Sequence, residues 1–185
     1  MEGKNDLSSR SRKSHGQLTA EIGKSLKFED YDVLYDHGVS SKTVGKIVSY
    51  FSDKKERGTQ LSYLDIAIVE KNTNQAIALI EVEETANRPK TIIADIFAFL
   101  IGEKLAFQGR ELEVGNKTIL IVVGFSKVPH PKHNQYILEK VEKARSALGT
   151  KNCEIRKVVI ESYSDKDKLP TLLMSLLDKA IKREL

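Results

Sequence analysis

Residues 61–84 read LSYLDIAIVEKNTNQAIALIEVEE, two apolar runs joined by a polar, Asn-rich turn. The runs Leu61 to Val69 and Ala76 to Glu83 are rich in Ile, Val and Leu, and Lys71, Asn72, Thr73 and Asn74 between them suit a turn. That spacing predicts a β-hairpin. Three carboxylates interrupt it, Asp65 in the first strand and Glu81 and Glu83 in the second. Side chains two apart on a strand share a face, so Glu81 and Glu83 project together, opposite Ile80 and Val82. With the turn at 71–74, Asp65 falls on the neighbouring strand near the level of Glu81 to Glu83.

Carboxylates within strands are costly to desolvate, and several together raise one another's pKa unless a cation intervenes. Hard oxygen donors without His or Cys at metal spacing nearby suit Mg²⁺ or Mn²⁺ better than Zn²⁺. The competing reading is an exposed sheet face with Glu81 and Glu83 in water. Against it stands Asp65, set in an otherwise nearly unbroken apolar run.

At 185 residues and 40% hydrophobic content, the chain is long enough for one ordinary domain with its own core. A formal charge of +4, from 30 basic against 26 acidic residues, permits nucleic-acid binding without demanding it. The single cysteine, Cys153, excludes an internal disulfide and fits a reducing cytoplasm. No apolar run is long enough to span a membrane, and the N-terminus lacks the apolar core of a signal peptide.

Residues 1–16, MEGKNDLSSRSRKSHG, carry Lys4, Arg10, Arg12 and Lys13 without hydrophobic periodicity and read as a flexible basic arm; residues 17–185 read as a single α/β domain. Leu18, Ile22 and Leu26 predict an amphipathic helix over 17–28 that also carries Glu21. A short strand is expected over 31–35. Val44, Ile47, Val48 and Phe51 then follow helical spacing after Ser40 or Ser41, with Lys42 and Lys46 on the other face. Beyond the hairpin, Pro89 suits the first turn of a long helix reaching about Gln108, with Ile92, Ile96, Leu100 and Leu105 in its stripe. Arg88 and Lys90 stand at its start, where cations oppose the helix dipole and call for an anionic partner. Further strands are expected over 117–125 and 154–160, and helices over 131–148 and 169–181.

Other chemistries lack support. His130 and His133 flank Pro131 without a third ligand, His15 and His37 stand isolated, and no Gly-x-Ser-x-Gly turn follows a strand.

A helix bearing a Glu, a strand, a hairpin carrying Asp and then Glu-x-Glu, a helix and another apolar strand together resemble the common core of the PD-(D/E)xK nuclease superfamily, over roughly residues 17–125. The motif stands as Leu64-Asp65, fifteen intervening residues, then Glu81-Val82-Glu83. Leu64 replaces the proline and Glu83 the lysine; some type II restriction endonucleases of the superfamily also have Glu there. The resemblance implies a restriction-endonuclease-like core, a mixed β-sheet with a catalytic hairpin flanked by helices. It implies Mg²⁺ (or Mn²⁺) held by Asp65, Glu81, the Val82 carbonyl and Glu21, with Glu83 or Lys90 activating water. DNA would be the substrate. Arg10, Arg12, Lys13, Lys42, Lys46, Arg88 and Lys90 would contact phosphates, and a homodimer would serve both strands. The alternative is a catalytically inactive module of the same fold that binds nucleic acid or a protein, because loss of the lysine is one way such domains fall silent.

Overall fold

The run from Leu61 to Val69, expected as one strand, is two strands in the computed structural model, which describes residues 14–36, 42, 44–84, 89–128, 131–148 and 155–182. Asp65 is the joint. Before it, β3 (Gln60–Leu64) belongs to a four-stranded sheet; after it, β4 (Ile66–Glu70) belongs to a five-stranded one. The predicted hairpin survives as β4 and β5 (Ala76–Glu83), in antiparallel register with Ile66 opposite Ile80. Asn74 in its turn takes a left-handed φ of 63°, a conformation Asn tolerates better than most residues.

The larger sheet runs β1 (Tyr31–Tyr35), β4, β5, β8 (Ile119–Phe125), β9 (Lys157–Tyr163). Its first three strands are antiparallel neighbours and its last three are parallel, so the sheet is mixed. From β5 to β8 to β9 the chain steps the same way across the sheet. Right-handed crossovers then place both connecting helices on one face. Accordingly Ile92 and Ile96 of α2 (Pro89–Leu100) and Ile137 and Val141 of α3 (Pro131–Leu148) share one apolar cluster. The opposite face is covered by α1 (His15–Ser25), through Leu18 and Ile22, and by α4 (Leu169–Ile181), through Leu173 and Leu177. Strand residues alternate between the clusters: Ile66, Ile68 and Ile80 face α1 and α4, whereas Ala67, Val69 and Leu79 face α2 and α3.

Two expected helices differ. The segment carrying Val44, Ile47, Val48 and Phe51 forms no helix over 44–51; Ile47–Tyr50 is strand β2, and Phe51 is exposed. Adjacent β-branched residues suit a strand buried on both faces as well as they suit helical spacing, and burial decides. The helix starting at Pro89 stops at Leu100, ahead of Gly102, and Leu105 lies instead on β6 (Lys104–Phe107). There the Glu103 N–H donates to the Tyr50 carbonyl at 2.8 Å, and pairing with β2 replaces the helix. β6 turns at Gln108 and Gly109, both at positive φ as a tight two-residue hairpin requires, into β7 (Arg110–Leu112). The second sheet, ordered β3-β2-β6-β7, thus comes from two separate excursions of the chain and packs Ile47, Leu64, Leu105 and Phe107 into the α2 cluster.

The stretch expected as an arm, 1–16, reaches into the first helix. The first helix begins at His15, because Ser14 caps it and exchanges hydrogen bonds with Gln17 in a capping box. Residues 1–13 lie outside the described part. Gly23 on this helix faces the buried Tyr35 ring so closely that a Cβ there would fall inside the ring's van der Waals envelope. Glycine to alanine in a helix interior ordinarily adds about 1 kcal/mol of stability. Here Gly23→Ala is expected to lower it instead, and denaturant unfolding of the two proteins checks the sign.

Candidate active site at the carboxyl end of the sheet

Past Ile80, β5 outruns β4. The β4–β5 ladder ends at the Ile66–Ile80 pair, whereas β5 continues on its other side with β8 as far as Glu83 opposite Gly124. In an antiparallel ladder a residue's N–H and C=O point to the same edge, so Val82 directs both toward the place that β4 has vacated. The Asp65 side chain fills it. Its Oδ2 accepts the Val82 N–H at 2.9 Å, while its own backbone N–H donates to Glu81 Oε2 at 3.4 Å.

Glu81 and Glu83 alternate with Val82, which is buried among the α1 and α4 residues, so both carboxylates take the opposite, α2 side of the sheet. Asp95 of α2 belongs to the same group. Burial, then the charges of Glu83 and Asp65, push its carboxyl up to about 6, and its buried Oδ2 has no hydrogen-bond partner. Glu81 is raised well above the usual carboxylate range, by desolvation first and then by the charges of Asp65 and Asp95. The three carboxylates singled out in the sequence therefore gather, and a fourth joins them.

The first turn of α1 delivers a cation. His15 Nε2 lies 2.8 Å from Asp65 Oδ1, and its Nδ1 lies 3.4 Å from Glu84 Oε1. The hydrogen bond to Asp65, with the Asp65 and Glu84 charges, outweighs burial and raises the imidazole to about 9, so it is protonated at neutral pH. Lys166, in the short 3-10 turn Lys166–Lys168 after β9, pairs with the other Glu84 oxygen. Tyr163 at the end of β9 donates to the Glu83 carbonyl at 3.3 Å; its phenol is raised by burial and by the neighbouring Glu84 and Glu83 charges.

His15 is thus not isolated. Ser14 and Gln17 already spell a helix start, which puts His15 in a first turn rather than in an arm, but its partner lies fifty residues away in sequence. Asp95 carried the same signal as Asp65, a lone carboxylate among apolar neighbours, here Ile92, Ile93 and Ile96. Glu21 is exposed on α1, about 9 Å along the axis from His15. Lys90 is exposed in the first turn of α2, Lys42 is exposed, and Lys46 lies over the Tyr63 ring. Arg10, Arg12, Lys13 and Arg88 lie outside the described residues.

Among the described residues, no three His, Cys, Asp or Glu side chains converge into a ready-made cage for an ion. The donor chemistry nonetheless fits one. Asp65, Glu81, Glu83 and Asp95 are all hard oxygen donors, the buried Asp95 Oδ2 lacks a partner, and the raised carboxyls mark a cluster short of positive charge. Compared with known protein families, curated proteins and solved structures, the chain gives no match. Among the described residues no helix is long and apolar enough to cross a membrane.

Two measurements check this electrostatic picture. An NMR titration should find His15 near pH 9, falling toward 6.5 in Asp65→Asn. Because folding raises this pKa, the contact contributes its stability below about pH 6.5 and loses it as pH climbs through 9. Glu81→Gln keeps an acceptor for the Asp65 N–H but removes a carboxylate whose ionisation is resisted by burial. It should therefore raise the melting temperature at neutral pH, which calorimetry or circular dichroism would show.

Proposed function

We propose that this chain is a metal-dependent endonuclease hydrolysing DNA, built on a restriction-endonuclease-like core of the PD-(D/E)xK type. The observation that carries the reading is the position of Asp65: it replaces β4 against the Val82 N–H, and Glu81 reaches its backbone from the facing strand. Two carboxylates and a main-chain carbonyl on one strand edge are a donor set for a hard cation. The order of elements supports it as well. A helix, an antiparallel three-strand unit of β1, β4 and β5, a helix and a parallel strand follow one another, with the second sheet as an addition.

In this reading Asp65, Glu81 and the Val82 carbonyl would hold Mg²⁺ or Mn²⁺, with Asp95 as a fourth donor. The ion, when bound, makes hydroxide accessible near neutral pH and neutralises charge on the phosphate. Glu83, beside Glu81 on the same strand face, accepts the proton of the attacking water as the new P–O bond forms and the bond to the leaving sugar oxygen breaks. Lys90 at the start of α2 is the other candidate for that step. His15, holding Asp65 Oδ1 from the side, fixes the carboxylate's orientation, and Lys166 does the same for Glu84.

A silent binding module on the same fold is the second reading. The His15–Asp65 contact favours it, because a protonated imidazole already neutralises the central carboxylate.

Nicking of supercoiled plasmid in Mg²⁺ or Mn²⁺ separates the two. Asp65→Asn and Glu81→Gln should abolish it and weaken Mn²⁺ binding measured calorimetrically. Glu83→Gln should keep DNA binding, assayed in Ca²⁺, and lose roughly 10² to 10⁴-fold in rate. If Lys90 performs the proton transfer, Lys90→Ala is the variant that loses turnover. Wild-type protein that binds DNA yet cleaves nothing with either ion belongs to the second reading.

A further inference from the structure

The strand that enters the carboxylate site carries a surface of its own. β3 is an edge strand of the second sheet and ends one residue before Asp65. Tyr63 is therefore about 7 Å along the chain from Asp65, and Gln60 about 17 Å. Arg57, Gln60, Leu61, Ser62 and Tyr63 line an open cleft of about 550 Å³ along this edge. Tyr63 is 44% exposed, and Lys46 Nζ sits 4.4 Å from its ring centroid.

Charge adds to this. The cations on the strands of this sheet, Lys104 and Arg110, are matched by Glu111 and Asp53 and by Asp32, and Lys55 in the loop before β3 pairs with Glu111. Lys46 and Arg57 form no ion pair with any described carboxylate. An exposed aromatic ring that already holds a cation, with a second unmatched cation nearby, suits a ligand that is both anionic and flat-ringed.

We propose that the β3 edge is a nucleic-acid strand site, in which a base takes the place of Lys46 over the Tyr63 ring and Lys46 and Arg57 hold phosphates of the nucleotides flanking the bond presented to Asp65. It rests on the nuclease reading for its direction, since the track leads to the carboxylates, but its binding does not require metal. Stacking tolerates any base, so the site contributes affinity and strand placement rather than sequence choice.

Anisotropy of a fluorescein-labelled oligo(dT) with the full chain, in EDTA, tests it. Tyr63→Ala should weaken binding about tenfold, Tyr63→Phe should bind as wild type, and Arg57→Glu should weaken binding and flatten its salt dependence. Arg57 is exposed and outside the strands, so that variant serves even if Tyr63→Ala folds poorly. Unchanged affinity in Arg57→Glu and in folded Tyr63→Ala overturns the proposal. So does a wild-type chain that ignores the oligonucleotide and instead shows a concentration-dependent dimer lost in Arg57→Glu, which would give the edge to a second copy. The nuclease reading fails separately, through Mn²⁺ binding that is indifferent to Asp65→Asn.

Discussion

The site depends on one backbone amide. Where the β4–β5 ladder ends and β5 continues, the Val82 N–H needs an acceptor, and Asp65, the residue immediately before β4, provides a side-chain oxygen in place of a main-chain one. The Asp65 carbonyl still accepts the Asp36 N–H at 3.0 Å beyond the end of β1, and the chain leaves the larger sheet on the N-terminal side of this residue. Leu64 then enters the second sheet and packs against α2. Asp65 also puts a charge inside a hydrogen-bond ladder, where an apolar side chain would leave the amide unpaired at a cost of about 1–3 kcal/mol. Joint and charge are the same residue, and only a substitution such as Asp65→Asn, which keeps an acceptor oxygen, separates the two.

Around that charge the fold is organised against its own comfort. Glu81 and Asp95 sit where burial and mutual repulsion oppose their ionisation. Protonated His15 and Lys166 offset part of this from the outside, through Asp65 and Glu84. The apolar layers on both faces supply the stability that tolerates it. Residues such as Ile66, Ile80, Ile92 and Leu173 are completely or almost completely buried.

The hairpin, its turn and the three carboxylates were legible because period-two alternation is local and each carboxylate broke an apolar run visibly. The helices over 131–148 and 169–181 were equally plain, with no competing pattern across their stripes. What escaped was long-range. Ile47 and Val48 satisfy helical and extended spacing alike, and only pairing of β2 with β3 on one side and β6 on the other settles the choice. Leu105 continued the stripe of α2 in sequence but not in space. His15 looked featureless because its partners, Asp65 and Glu84, lie far along the chain, and no short-range pattern joins it to them. Asp95, among Ile92, Ile93 and Ile96, carries the same local signal as Asp65, and only the fold brings the two together.

The second sheet has a peculiar ancestry in the chain. β2 and β3 leave the core between β1 and β4, β6 and β7 leave it between α2 and β8, and the ladder between β2 and β6 is the seam. Either excursion alone is a two-stranded hairpin, marginal in water. The seam joins Tyr50 to Lys104 across the intervening hairpin and α2, a non-local contact of the kind that slows folding. It also ties two distant stretches of sequence to a common fate. A register change in one must be met by the other, and neither excursion could be gained, lost or transplanted as an independent module.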